Sequence, residues 1–253
     1  MLALVTGASS GFGYDISKTL IDHGYKVIGI ARRSEKLNMI QAELGDHFLP
    51  LVLDLSDRDL MVEECLYNLP DAFCIKNIDV LVNNAGLALG LEPAHHSDLQ
   101  DWQKMIDTNI TGLVTITRWV LPHMVKRGCG IIVNIGSIAA TYPYPGGNVY
   151  GATKAFVQQF SLNLTADLVG TGVKVSNIEP GLCGDTEFSM VRFKGDLDKV
   201  TQLYDRTDPI LPQDIANTVW WIISQPAHIN VNKIEMMPTS QSFNALKVTP
   251  KQV

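Results

Sequence analysis

The chain has 253 residues, of which 46% are hydrophobic and 18% charged, with a formal charge of −6. That length suits one large α/β domain or two small ones, and the apolar share builds a sizeable core without metals or disulfides. The acidic balance and the lack of a long Lys/Arg run argue against a nucleic-acid surface, because phosphate neutralisation needs clustered cations.

The first apolar run, residues 2–6, ends directly in a glycine loop. It is too short for a signal peptide or a membrane span and has no basic segment before it, so a cytoplasmic protein with no membrane partner is expected. The loop reads Thr6-Gly7-Ala8-Ser9-Ser10-Gly11-Phe12-Gly13 and opens a helical stretch at about 12–24. Glycines there allow a tight turn, a close approach of backbone to pyrophosphate, and helix-strand packing. The helix N-terminus adds free N–H groups and a partial positive charge. A glycine-rich turn also occurs for backbone reasons alone, and only its place at the first strand-helix turn makes it a dinucleotide signature.

Residues 26–31 form the second strand and 34–44 the second helix. Arg32 and Arg33 lie between them. An NAD-binding chain carries an acidic residue at the end of this strand for the ribose 2′-OH. Here no carboxylate repels a 2′-phosphate, and two guanidiniums are present to bind one. NADP is the expected cofactor.

Further strands are predicted at 48–53, 78–82, 131–136, 173–178 and 233–237, and helices at about 57–68, 98–127, 150–169 and 212–224. Several strand runs are continuously apolar, as in strands buried on both faces of a parallel sheet. The alternation predicts a single α/β domain over 1–253, a Rossmann-type doubly wound parallel sheet of about seven strands. One long irregular stretch, about 181–212, is rich in Gly, Asp and Thr. A loop of that length is usually functional, so 184–210 is read as a substrate lid; a mobile insertion with short helices is the other reading. Cys65, Cys74, Cys129 and Cys183 form no C-x-x-C pair and have no histidine at ligand spacing. Reduced thiols and no metal are expected.

Tyr150 and Lys154 lie one turn apart on one face of a helix. A free phenol, with a pKa of about 10, is a poor proton carrier at neutral pH. A cation stabilising the phenolate by about 4 kcal/mol would bring it into range. The pair alone is common on helices, but it has company. Ser137 ends the fifth strand, and carboxyl ends of strands line the ligand crevice. Asn83-Asn84-Ala85-Gly86 follows the fourth strand. Asn109 sits inside a long helix, where asparagine is a poor former and invites a special reason.

With these residues in view, the chain resembles the short-chain dehydrogenase/reductases, with motifs in the family's order from residues 6–13 to Pro180-Gly181. The resemblance implies that Tyr150 is the general acid/base, that Ser137 orients the carbonyl, and that Lys154 lowers the Tyr150 pKa and holds the ribose. It implies that Asn109 anchors a relay water. It further implies that Gly7, Ser9, Ser10, Gly11, Phe12, Gly13, Asn84, Ala85, Gly86, Pro180, Gly181, Cys183 and Thr186 face the cofactor, with Asp54 and Leu55 beside the adenine. A homotetramer is implied by the same analogy. Residues 148–164, 179–195 and 235–242 are similar to the family's bacterial NADP-dependent 3-hydroxy acid dehydrogenases. Those act on serine, allo-threonine, 3-hydroxyisobutyrate and 3-hydroxypropionate, or reduce malonic semialdehyde. Two departures stand out. Thr186 comes one residue late, and Ser10 replaces a basic residue found in many NADP-preferring relatives, which leaves Arg32 and Arg33 to form the phosphate site alone.

The expected activity is therefore hydride transfer between NADP(H) and a small anionic hydroxy acid or semialdehyde. Such substrates need a countercharge. Arg192, in the lid, is the candidate carboxylate clamp, because a guanidinium grips both oxygens; a solvent-facing arginine is the alternative. Rival readings are a carbonyl reductase of other specificity, such as a 3-oxoacyl-carrier-protein reductase, whose acidic carrier would need a basic docking patch, and a catalytically silent NADP-binding protein.

Overall fold

The computed structural model describes residues 1–57, 62–205 and 207–242. In chain order the elements are β1 (Leu2–Thr6), α1 (Gly11–Asp22), β2 (Lys26–Ala31), α2 (Ser34–Leu44), β3 (Phe48–Val52), α3 (Val62–Tyr67), β4 (Val80–Asn83), α4 (Leu99–Ile106), a π-helical turn (Asp107–Gly112), α5 (Leu113–Arg127), β5 (Gly130–Ile135), α6 (Asn148–Asp167), β6 (Val173–Pro180), α7 (Phe188–Arg192), α8 (Leu197–Tyr204), α9 (Pro212–Ile223) and β7 (Lys233–Met236). The strands form one parallel seven-stranded sheet, β3-β2-β1-β4-β5-β6-β7.

Alternate strand residues feed two separate cores, because successive side chains point to opposite faces. Ala3, Val5, Val27, Val80 and Val82 pack with Ile16 and Leu20 of α1 and Ile215 and Val219 of α9. Leu2, Leu4, Ile28, Ile30 and Leu81 pack with Leu66 of α3, Ile116 and Val120 of α5, and Leu164 of α6. Burial on both faces is why β1 and β4 read as unbroken apolar runs. The strand order reverses beside β1, which pairs with both β2 and β4. A crevice opens at that point, beyond the carboxyl ends of the strands.

Three predicted elements differ from the observed ones. The helix expected at 98–127 is α4 and α5 joined by a π-helical turn, and Asn109 lies inside that turn. The irregular stretch at 181–212 contains α7 and α8, of five and eight residues, too short to show a period in the sequence. Of the helix expected at 57–68, α3 supplies 62–67; residues 58–61 lie outside the described residues, as do 206 of the expected lid and 243–253 of the expected domain. Among the described residues, no helix is long and apolar enough to cross a membrane. No group of three or more His, Cys, Asp or Glu could hold a metal ion there, and the four cysteines are unpaired.

Candidate active site

The carboxyl ends of the strands surround a cavity of about 670 Å³. Its first wall is the loop after β1. Gly7 and Gly11 have φ of +68° and +52°, a region that favours glycine. A Cβ on Gly7 would lie 2.9 Å from Asn84 Nδ2, and one on Gly13 only 2.2 Å from the Gly7 carbonyl oxygen. Gly13 therefore packs α1 under the loop and does not line the cavity, whereas Ser9, Ser10, Gly11 and Phe12 do. Thr6 laces this loop to the one after β4: its Oγ1 accepts from the N–H of Asn84 at 3.0 Å and of Ala85 at 2.9 Å. Asn84 Nδ2 returns a bond to the Thr6 carbonyl at 2.9 Å. The bare glycine backbone, with Gly86 across from it, could hold the phosphates of a dinucleotide.

Beside the glycine loop is a cluster of charge. Arg33 Nη2 donates to Ser9 Oγ at 2.9 Å and Ser10 Oγ at 3.0 Å, while its Nη1 is 2.7 Å from Glu187 Oε2. Lys36 Nζ donates to the other Glu187 oxygen at 2.5 Å. Burial alone would raise the Glu187 carboxyl, but hydrogen bonds from Lys36, Arg33 and Ser10 outweigh it and hold the pKa at about 2. Arg32 pairs more loosely with Asp54, at 3.8 Å. Asp54 is itself drawn below the usual carboxylate range, because two hydrogen bonds from Ser56 outweigh its burial. Leu55 lies next to Asp54 on the cavity wall and packs against Gly112, where a Cβ would come 2.9 Å from Leu55 Cβ. Lys36 thus joins Arg33 on the same carboxylate, beside Arg32.

The opposite end holds Ser137, Tyr150 and Lys154. Tyr150 and Lys154 are buried on α6, and Lys154 Nζ donates to the Ile135 carbonyl at 2.8 Å from a point 5.9 Å from the Tyr150 ring centroid. Ser137 lies past β5 on the cavity wall with Tyr150, its Oγ accepting from Ala139 N–H at 3.1 Å. Burial pushes the Tyr150 phenol far above its ordinary value, with Ser137 and Arg192 pulling weakly the other way. Burial likewise lowers Lys154 from 10.5 to about 8. Asn109 sits behind this group and not on the cavity wall. Its Nδ2 donates to the Leu87 carbonyl and Thr153 Oγ1, and its Oδ1 accepts from Leu87 N–H, at 2.8–3.0 Å.

The segment 181–193 closes the cavity. Gly181 is bare where a Cβ would meet Gln241 Oε1 at 2.2 Å, and Pro180 and Cys183 line the wall beside it. Burial pushes the Cys183 thiol up to about 12. Thr186 lies against the glycine loop, its Cγ2 3.1 Å from where a Gly11 Cβ would be. Phe188 faces the Tyr150 ring at 5.8 Å between centroids. Arg192 lies 5.6 Å from the Tyr150 centroid and 5.2 Å from that of Tyr144, and it donates to the Tyr144 hydroxyl at 2.6 Å. Its Nε is buried without a partner. Sequence reasoning passed over Lys36, Tyr144, Glu187 and Phe188. The only signals were that Lys36 opens a helix next to the arginine pair, and that Tyr144 lies in a Pro/Gly-rich turn.

Residues 1–196 match the family model for short chain dehydrogenases. The chain is 58% identical over 250 residues to a probable NADP-dependent dehydrogenase of Haemophilus influenzae, covering 99% of this chain and 98% of that one. It is 55% identical over 248 residues to the NADP-dependent 3-hydroxy acid dehydrogenase YdfG of Salmonella typhi, covering 98% and 99% of the two chains. Among solved structures, the closed form of a serine dehydrogenase complexed with NADP+ superposes with a TM-score of 0.96 at 55% identity, covering 99% of this chain and 100% of that one. The chain belongs to the short-chain dehydrogenase family.

Proposed function

We propose that this protein is an NADP-dependent oxidoreductase that interconverts small 3-hydroxy acids, of the serine, allo-threonine and 3-hydroxypropionate type, with their 3-oxo acids or semialdehydes. The observation that carries this reading is one cavity with a cationic cluster at one end and, at the other, Ser137, Tyr150 and Lys154 under a guanidinium. Arg33, Lys36, Ser9 and Ser10 suit a 2′-phosphate, with Arg32 and Asp54 nearer the adenosine. The bare backbone at Gly7 and Gly11 suits the pyrophosphate. The nicotinamide supplies or accepts the hydride when bound.

Ser137 and Tyr150 line the same end of the cavity, so a substrate oxygen entering there meets two hydroxyl donors. Burial keeps the proton on Tyr150, which suits the acid needed when a carbonyl is reduced. In the oxidative direction Lys154 and Arg192, both within 6 Å of its ring, favour the phenolate that must form. Asn109 acts from behind, fixing the Leu87 backbone and Thr153 and so the position of α6. Arg192 takes the substrate carboxylate; its place on the cavity wall beside Tyr150 and its partnerless Nε support this reading. Residues 184–210 act as the lid of a single domain. A cytoplasmic homotetramer completes the reading.

A panel of hydroxy acids with both nicotinamide cofactors tests it. Serine or 3-hydroxypropionate with NADP should turn over far faster than with NAD, and Arg192→Leu should raise KM for these acids about 10²-fold more than for an uncharged alcohol of similar size. Arg192→Lys should recover part of that loss, because an ammonium cannot reproduce the planar fork. Equal losses on charged and neutral substrates would remove Arg192 from carboxylate binding.

A further inference from the structure

The short helix α7 is tied down at both ends. At its far end Arg192 donates to the Tyr144 hydroxyl, the Arg192 carbonyl accepts from Gly90 N–H at 2.9 Å, and Lys194 pairs with Asp101 at 2.7 Å. At its near end Glu187 places one carboxylate oxygen on Arg33 and the other on Lys36. Five helical residues span about 7 Å, so α7 bridges the cationic end of the cavity and the Tyr150 end. We propose that Glu187 is the latch of the lid, a positioning residue that fastens α7 to Arg33 and Lys36 and thereby holds Phe188 and Arg192 over Tyr150.

The latch rests on the reading of 184–210 as a lid and of Arg33 as part of a 2′-phosphate site. Two cations face one carboxylate, so the pair keeps a net positive charge with Glu187 in place. An entering phosphate is attracted without having to expel it. Thr186, packed on Gly11, keeps the lid strand against the glycine loop beside the latch. Ser189, bonded to the Tyr204 hydroxyl at 2.6 Å, carries α8 with α7. Loosening Glu187 therefore frees a segment, not a single side chain.

The test uses the full chain, with and without NADP+. Trypsin cuts after Arg192 and Lys194 inside the lid. Glu187→Gln should speed those cuts and raise the NADP+ dissociation constant, each about fivefold, the scale set by two half-exposed ion pairs. The melting temperature should hold. Salt should speed lid cleavage more in the wild type than in the variant, where of these lid ties only the Lys194–Asp101 pair is left to screen. Glu187→Asp should recover part of the effect, since it keeps the charge on a shorter stem. Tighter NADP+ binding by Glu187→Gln would overturn the latch, for Glu187 would then compete with the phosphate. Unchanged cleavage in both forms would overturn it too. Equal binding of NAD+ and NADP+ by the wild type would sink the phosphate reading instead, and cleavage of the unliganded protein would still decide the latch.

Discussion

In the proposed chemistry Tyr150 and Lys154 carry the proton transfer, and each makes a separate prediction. Tyr150→Phe removes one oxygen from a buried ring, so NADPH binding should stay near wild type while kcat falls about 10³-fold, as the proton transfer is lost. Stopped-flow or steady-state turnover checks this, and a variant keeping a tenth of the activity would exclude Tyr150 from proton transfer. Lys154 offers a test through stability. Its pKa falls from 10.5 to about 8 on burial, so between those values the folded protein binds fewer protons than the unfolded chain. Unfolding free energy therefore rises with pH from about 8 to 10.5, and the burial penalty is fully present at pH 7. That penalty is about 3 kcal/mol, offset by the loss of the bond to Ile135, so Lys154→Met should be about 1 kcal/mol more stable at pH 7 yet inactive. Thermal melts from pH 7 to 10.5 should show the advantage vanish and then reverse, because the wild type regains about 3 kcal/mol as the burial penalty is lost. A gap that does not change with pH would show that Lys154 carries no such penalty. Both residues were legible in the sequence through their i, i+4 spacing. Their burial, which gives each its shifted pKa, was not.

At the scale of elements, the π-helical turn is the feature that sequence periodicity missed. Asn109 breaks the helical pattern because its side chain reaches across to Leu87 and Thr153, making three buried hydrogen bonds. Asn109→Ala strands those partners and should cost about 2–4 kcal/mol, seen as a lower urea midpoint with an unchanged slope. A loss below 0.5 kcal/mol would mean that Asn109 does not hold α6 to the loop after β4. The odd residue was readable as an asparagine in a long helix, but its role as a clasp needed the partners in view. α7 and α8 escaped notice for another reason. With five and eight residues they are short, and contacts hold them: Phe188 of α7 on Tyr150, and Tyr204 of α8 on Ser189 and the Cys183 carbonyl.

At the scale of the whole molecule, α6 has two faces. Tyr150, Lys154, Val157, Ser161 and Leu164 are buried at spacings of three and four, while Phe156 and Leu162 remain 38% and 45% exposed. Phe156 stacks on Phe160 at 5.7 Å, which extends the apolar surface along the helix. In the proposed homotetramer that surface is covered, so wild-type protein should sediment at four times the chain mass of 27.8 kDa. Phe156→Glu should shift it to smaller species, because a carboxylate in a packed interface goes unpaired. A wild type that sediments as a monomer would end the tetramer proposal.

The sequence by itself determined the doubly wound sheet, the glycine loop at its first turn, the arginine pair and the Ser137, Tyr150, Lys154 set. Each depends on spacing within one or two neighbouring elements, through strand alternation, helical turns or a turn that only glycine tolerates. Tertiary structure alone decided that Lys36 joins the arginines, that Gly13 packs α1 while its neighbours line the cavity, and that Arg192 lies over Tyr150. The clearest case is Lys36 and Glu187, which are 151 residues apart in the chain and 2.5 Å apart in the fold. No local period connects them. They meet because the segment after β6 reaches back over the carboxyl ends of the strands to the glycine loop, although three strands separate β6 from β2, and two opposite charges half out of water there attract.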